Sequence, residues 1–413
     1  MRQPLTERQE SFVSLAAGLA DTFARRASTF DRENRFPVEN YDDLRSSGYL
    51  RLTVPEELGG LGANLYDLVL AQERLAAGCA STALAVNMHV SPIGQWGSFW
   101  RETGDTRLEA LLRRVAKGEI IWAALTSEPG MPNHMSDALT TAEIVDEGFH
   151  VRGRKIFCTN SHVATHFTFT ARYEDPDTGP RLGIFWGEKD AGGFEFVPTW
   201  DTLGMRGTQS DDLLIDAVVP REALVHSLPL GHLDGRVVKQ VFAWAMPTFG
   251  AVYLGIGAGI LEEAKRIAVE RGRDTDPLVG ASLAQMEILL ETGRAVLYRH
   301  CEEVMSGRLF KLSPQEALTR SVMSKVVPTN NAVQIGQQAV DVVGGAAFTR
   351  KLPLERMWRD LQGGPIMPYS NHHAIALVAA TSLGVEIAPE IPFAESGHTS
   401  RPHAPVSREA VRG

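Results

Sequence analysis

The spacing of apolar residues changes twice along the chain. In the N-terminal part they recur at helical intervals, and a capping box of Thr6 with Gln9 precedes the first run. A second capping pair, Asn64 with Asp67, starts another helix, and we expect Ser81 or Thr82 to cap the one after it. This part of the chain is therefore predicted to be helical.

In the middle part, short segments rich in aromatic and β-branched residues lie between Gly, Pro and Asp turns, which is typical of strands. These segments are Phe149–Val151, His166–Thr170, Leu182–Trp186, Phe194–Val197 and Leu213–Asp216. From about Val237 to Glu386 the helical period returns, and several long helices in succession favour a bundle.

The pattern predicts an α+β multidomain protein. We expect an N-terminal helical domain at 1–120, a middle antiparallel β domain at 121–230 and a C-terminal helical bundle at 231–390. Residues 391–413 are rich in Pro, Ser and charge and are predicted to form a disordered tail.

One stretch without charge, Gln240 to Leu261, is long enough to cross a bilayer. It contains Pro247 and glycines at 250, 255, 257 and 259. Because small residues let helix backbones approach closely, a buried bundle helix is favoured over a membrane span.

The composition disfavours nucleic-acid binding and leaves a small molecule as the expected substrate. The chain has 413 residues and a net charge of −9, which disfavours a nucleic-acid surface. Its cysteines, Cys79, Cys158 and Cys301, have no metal-ligand spacing, so neither a zinc site nor a disulfide framework is expected. No secretory signal is visible, and a cytoplasmic location is expected.

Two hydroxyl-bearing segments stand out as candidate ligand contacts. Leu125–Gly130 (Leu-Thr-Ser-Glu-Pro-Gly) ends an apolar run in a turn, and Gly153–Asn160 alternates like a strand before an Asn-Ser loop. Hydroxyls at two strand ends are suited to a shared flat ligand, although such residues more often only cap loops.

These segments, with further motifs in order along the chain, resemble the acyl-CoA dehydrogenase superfamily of flavoproteins. The other motifs are Val54–Gly62, Leu203–Arg206, Val342–Gly345 and Trp358–Asp360. The resemblance implies FAD as the cofactor, with FMN as the alternative. It places Thr126 and Ser127 at the N1–C2=O edge of the flavin, Phe157 beside the ring and Thr159 at N5, and it makes Leu125 a further cofactor contact.

For the rest of FAD, the resemblance points to Arg271, which reaches the cofactor of a neighbouring subunit, and to Asp341 and Gly345. Asp341 stands where the family has Gln, and Asn133 stands where it has a pyrophosphate-binding Ser. Ser370 and His372 follow the usual catalytic position and are expected to contact the cofactor. No role is assigned to His89 or His134.

The catalytic glutamate that the family uses to remove a proton from an acyl thioester is missing. Its usual position is Pro368, and the alternative position on the first bundle helix is Ala245. The segment Gly363–Tyr369, here called the wall segment, carries no charge. The catalytic residues are therefore unknown from the sequence.

Because it lacks this glutamate, the chain resembles the flavin monooxygenase and N-hydroxylase branch of the superfamily. Members of that branch use reduced flavin and oxygen. A hydroxylating or N-oxidising enzyme is expected, with a small-molecule substrate, a separate flavin reductase and a homodimer or homotetramer. The alternatives are a thioester dehydrogenase with a base from elsewhere, or the non-catalytic subunit of a heteromeric dehydrogenase.

Overall fold

The computed structural model describes residues 5–131, 136–387 and 393–394. The chain begins with helices, as predicted, and α1 starts at the Thr6–Gln9 capping box. The N-terminal helices are α1 (Glu7–Glu33), α2 (Val38–Ser46), α3 (Leu65–Ala76), α4 (Ala80–Thr103) and α5 (Thr106–Ala116). Asn64 and Asp67 form the second capping box, at the start of α3.

The predicted cap of α4 is wrong. The helix begins at Ala80 with Cys79 as its N-cap residue, so Ser81 and Thr82 lie inside the first turn. The Thr82 hydroxyl donates to the Cys79 sulfur and accepts from the Asn40 amide, and it is therefore used for packing between helices.

The middle part is a mostly antiparallel sheet. Its strands are β1 (Trp122–Leu125), β2 (Thr141–Val145), β3 (Gly148–Lys155), β4 (His166–Asp175), β5 (Gly179–Glu188), β6 (Phe194–Val197), β7 (Asp212–Val219) and β8 (Leu224–Pro229). The strand order is β6-β7-β3-β2-β4-β5-β8, and β1 pairs with β4 in parallel. Phenylalanine rings at 149, 167, 169 and 185 pack in the core of the sheet.

Helices return after a short strand, β9 (Leu233–Asp234). They are α6 (Gly235–Glu270), α7 (Pro277–Met305), α8 (Pro314–Val343), α9 (Leu354–Leu361) and α10 (Asn371–Leu383). The predicted order of helical part, sheet and helical bundle is thus confirmed, while the domain boundaries stay predictions. The predicted disordered tail lies outside the described residues except for β10 (Phe393–Ala394), which pairs with β9.

Helix α6 occupies the centre of the helical core. A Cβ added at Gly250 would lie 2.4 Å from the Ser324 carbonyl oxygen, and one at Gly255 would lie 2.1 Å from that of Glu73. These contacts explain why small residues interrupt the uncharged stretch. Val238–Glu270 is long and apolar enough to cross a membrane, but 78% of its apolar window is buried within the protein.

Two of the sequence motifs join the sheet to both helical parts. Arg359 donates to Asp31 of α1 at 2.6 and 2.9 Å and to the Leu203 carbonyl at 2.9 Å. The buried Asp360 accepts from the Met205 backbone N–H, and burial raises the pKa of Asp360 to about 6. This junction fixes the loop after β6 against the helices, beside the candidate site.

Candidate active site

The two predicted cofactor segments lie side by side. β1 ends at Leu125 and β3 ends at Lys155, and the Ile156 N–H donates to the Ser127 carbonyl at 3.0 Å. Leu125 is buried, Ser127 is half-buried and Thr126 is exposed. The structure therefore brings the first three predicted flavin contacts to the start of the turn that carries Phe157 and Thr159.

A buried ion pair joins the two segments below the surface. Lys155 Nζ lies 2.6 Å from Glu128 Oε1, and the side chains are 0% and 1% exposed. Glu128 also accepts from the backbone N–H groups of Leu139 and Thr140. Burial alone would raise the pKa of Glu128, but these hydrogen bonds and the ammonium group outweigh it and lower the pKa.

The second segment is a strand only as far as Lys155. Phe157 has a φ of 58° and Asn160 a φ of 74°, both in the left-handed region, so the chain turns where alternation predicted a strand. The Phe157 ring is 60% exposed and meets Trp200 edge-on at 5.9 Å between centroids. It presents an aromatic face beside the turn.

Thr159 lies at the end of a row of hydroxyl groups. Its Oγ1 is 2.8 Å from Ser210 Oγ, and Ser210 Oγ is 3.0 Å from Thr208 Oγ1. Thr159 is half-buried, whereas Ser210 and Thr208 are buried. The hydroxyl predicted to meet flavin N5 is thus the outer member of an ordered polar chain.

Arg271, Asp341 and Gly345 lie together at a second place, where α6 and α8 end. The Arg271 guanidinium donates to the Val343 carbonyl at 2.7 Å and so caps the C-terminus of α8. Asp341 and Gly345 each lie two residues from Val343 in the sequence, and both are exposed. Their predicted contact with the adenine half of a neighbouring subunit's FAD stays a prediction, and Asn133 and His134 lie outside the described residues.

The wall segment lies against α6 where the alternative base would be. The ring of Tyr369 meets that of Phe242 at 6.4 Å, and Ala245 lies one turn further along the same face of α6. Pro368 is exposed and follows Met367, which is half-buried. The segments that carry the two family positions for the base are therefore in contact, and both positions hold an uncharged residue in this chain.

A buried lysine supports this surface from below. Lys325 Nζ, on α8, donates to the carbonyls of Met367 at 2.8 Å and Tyr369 at 3.1 Å and to Asn371 Oδ1 at 3.0 Å. These acceptors flank Pro368 on both sides. Burial lowers the pKa of Lys325 to about 7, since all three acceptors are neutral.

The remaining candidates have local structural roles. Ser370 is the N-cap of α10, and its hydroxyl lies 2.9 Å from His373 Nδ1, whereas His372 is exposed. The cofactor roles expected of Ser370 and His372 stay predictions. His89 is a core residue whose ring bonds the Leu50 carbonyl and the Trp122 N–H, and burial lowers its pKa to about 4.

The residues present fit a flavin. An isoalloxazine ring requires an apolar or aromatic face together with polar partners at its edges. The exposed ring of Phe157 and the half-buried oxygen of Thr159 lie on one turn, which the Glu128–Lys155 pair ties to the hydroxyl-bearing end of β1. Phe157, Thr159, Ser127 and Thr126 would hold the ring, and the flavin would supply the redox chemistry.

Sequence reasoning missed Ser210, Lys325 and the pairing of Glu128 with Lys155. Of these, only Lys325 left a signal, because it stands at helical spacing among buried positions such as Val322 and Thr329. The Ser210 contact joins residues 51 apart in sequence. Spacing along the chain gives no indication of such contacts.

All three parts of the chain are similar to domains of known proteins. Family profiles for the N-terminal, middle and C-terminal domains of acyl-CoA dehydrogenase match residues 6–119, 123–218 and 234–381. A putative acyl-CoA dehydrogenase of Bacillus subtilis is 31% identical over 386 residues, which is 91% of this chain and 97% of that protein.

Two further proteins, a nitrososynthase and a protein solved with FMN and a nucleotide-linked amino sugar, are similar over nearly the whole chain. L-evernosamine nitrososynthase of a Micromonospora species is 30% identical over 408 residues, 94% of this chain and 93% of that protein. The structure of KijD3 with FMN and dTDP-3-amino-2,3,6-trideoxy-4-keto-3-methyl-D-glucose has a TM-score of 0.82 at 28% identity and covers 94% of this chain and 96% of that one.

Proposed function

Because the chain belongs to the acyl-CoA dehydrogenase family and is a flavin-dependent oxidoreductase, we propose that it N-oxidises a small-molecule amine with reduced flavin and oxygen. The family, the flavin cofactor and the oxidoreductase class predicted from the sequence are confirmed by its relatives. Similarity to nitrososynthases favours an oxygenase over a dehydrogenase.

One observation carries the proposal: the wall segment has no carboxylate where a thioester base would stand. Pro368 and Ala245 occupy both family positions, and the contact between the rings of Tyr369 and Phe242 joins the two segments that carry them. A positioned base contributes about two to four orders of magnitude in rate, so its loss disfavours thioester dehydrogenation. A neutral amine needs no such base.

The proposed reaction balances without a further oxidant or reductant. Reduced flavin gives two electrons and two protons, and oxygen supplies one atom to the new N–O bond and one to water. The products are a hydroxylamine, water and oxidised flavin. An amino sugar is the proposed substrate class, because nitrososynthases of amino sugars are among the chain's relatives.

The chain's own residues hold the reactants and exclude water. Phe157 and Trp200 flank one side of the turn, while Tyr369 and Phe242 present aromatic surface at the wall segment. A dry site reduces loss of oxygen as hydrogen peroxide. The reaction thus requires an apolar enclosure more than a charged group.

Three further features belong to the proposal. A separate reductase supplies reduced flavin, as the resemblance to the flavin monooxygenase and N-hydroxylase branch implies. The protein is cytoplasmic, and it is a homodimer or homotetramer in which Arg271, Asp341 and Gly345 face a neighbour's cofactor. The domain division at residues 120, 230 and 390 is proposed with them.

The test compares two substrates on flavin-loaded protein. Protein carrying reduced FMN or FAD is mixed with oxygenated buffer, with or without amino sugars, free and nucleotide-linked. We expect amine consumption that matches flavin oxidation, with less hydrogen peroxide released when the amine is present. In the second arm, oxidised flavin-loaded protein is mixed with acyl-CoA thioesters without oxygen, and the flavin should stay oxidised.

Two results would favour the alternatives. Rapid bleaching of oxidised flavin by an acyl-CoA would mean that the chain is a dehydrogenase with a base from elsewhere. Failure to bind either flavin, with activity appearing only after co-expression with a glutamate-bearing relative, would mean that it is a non-catalytic subunit.

A further inference from the structure

A row of hydrogen bonds leads from Thr159 into the buried loop between β6 and β7. Thr159 Oγ1 lies 2.8 Å from Ser210 Oγ, which lies 3.0 Å from Thr208 Oγ1, which in turn lies 2.9 Å from the Met205 carbonyl oxygen. Ser210 is 3% and Thr208 1% exposed. Water therefore has little access to the inner part of the row.

The carbonyl at the inner end fixes the direction of every bond. A carbonyl only accepts, so the Thr208 hydroxyl must donate to Met205. Ser210 must then donate to Thr208, and Thr159 must donate to Ser210, because each hydroxyl has one proton. The proton of Thr159 thus points inward, and its lone pairs face the candidate site.

The reversed direction is disfavoured by the same contacts. It would place the lone pairs of Thr208 Oγ1 against the Met205 oxygen at 2.9 Å in a buried place. The Met205 carbonyl is held as an acceptor by the Thr208 N–H at 3.0 Å and by Trp200 Nε1–H at 3.2 Å.

We propose that Ser210 is a positioning residue that makes Thr159 a hydrogen-bond acceptor and so selects reduced flavin. This inference rests on the proposed function and on the resemblance that places Thr159 at N5. In reduced flavin N5 carries a proton and can donate to Thr159, whereas N5 of oxidised flavin has only a lone pair. The site then binds the flavin that the reaction consumes more tightly than the flavin that it produces.

The test measures dissociation constants of oxidised and reduced FMN and FAD, the reduced forms under anaerobic conditions. In Ser210→Ala the Thr159 hydroxyl is released and can donate to oxidised N5. The ratio of the oxidised to the reduced dissociation constant should fall by about threefold to tenfold, as expected of one neutral hydrogen bond. Thr208→Val breaks the row one step further in and should lower the ratio in the same direction.

Two variants make the result specific. Ser210→Thr keeps the hydroxyl and should keep the ratio near that of the wild-type protein. In a Thr159→Val background, Ser210→Ala should change the ratio no further, since the acceptor is already gone.

Equal weakening of both redox states in Ser210→Ala, or no change in the ratio, would overturn the inference. If amine oxidation persists in that case, the proposed function stands and only the role of Ser210 is wrong. If the wild-type protein binds neither redox state of either flavin, both are wrong.

Discussion

Two buried lysines support two parts of the candidate site, and they do so differently. Lys155 lies in the sheet and pairs with the Glu128 carboxylate at 2.6 Å, whereas Lys325 lies in the helical bundle and, among the residues that the structure describes, donates to neutral oxygens only. Both side chains are fully buried. In the sheet, the buried ammonium group is therefore balanced by a carboxylate. Beneath the wall segment, the buried ammonium group has hydrogen-bond acceptors but, in the described part of the chain, no opposite charge beside it.

The different partners of the two lysines indicate which part of the site tolerates substitution. Removing one member of a buried pair leaves the other charge without a partner. Removing Lys325 leaves neutral acceptors unpaired but also removes a charge that burial disfavours. The flavin side should therefore be the more sensitive to mutation and the wall segment the more adjustable.

The largest effect is expected for Lys155→Met. The variant leaves Glu128 charged and buried, and it should lose about 3–5 kcal/mol of unfolding free energy, as measured by chemical denaturation. Lys265→Met is the matched control, because Lys265 also bonds glutamates but is 35% exposed, and it should cost about 1 kcal/mol or less. Equal losses in the two variants would contradict the comparison.

A smaller effect is expected for Lys325→Met. Loss of the hydrogen bonds to Met367, Tyr369 and Asn371 should destabilise by about 1–3 kcal/mol, since relief of the buried charge offsets part of the cost. The same denaturation experiment measures it. A loss as large as that of Lys155→Met would mean that the wall segment is no more adjustable than the flavin side.

The third effect concerns the pH dependence of stability. Lys325 loses its proton near pH 7 in the folded state, whereas an unfolded lysine keeps it to about pH 10.4. The unfolded chain binds more protons in that window, so Lys325 makes stability rise with pH, by at most about 1.4 kcal/mol per unit.

Lys325→Met should remove that part of the slope, as tested by unfolding at pH 7 and pH 9. Identical slopes in wild-type and variant protein would show that Lys325 stays charged across the window.

Features that depend on residues close together in the sequence could be predicted, whereas contacts between residues far apart in the sequence could not. Capping boxes at Thr6 and Asn64 and the changes of period are local, so helices, sheet and bundle were predictable. Ordered motifs placed Thr126 and Thr159 in one candidate site. The Glu128–Lys155 pair joins residues 27 apart, and the Lys325 bonds reach up to 46 residues along the chain. Such partners are set by packing and were not predictable from spacing.

The central claim is that oxygen from the gas is transferred to an amine held against a base-free surface. The most direct measurement supplies isotopically labelled oxygen to protein loaded with reduced flavin and an amino sugar, and determines the product by mass spectrometry. If the amine receives its oxygen atom from O₂, the product should carry one labelled atom per N–O bond formed in the first oxidation. An unlabelled product, or label found only in hydrogen peroxide while an acyl thioester is desaturated, would contradict the claim.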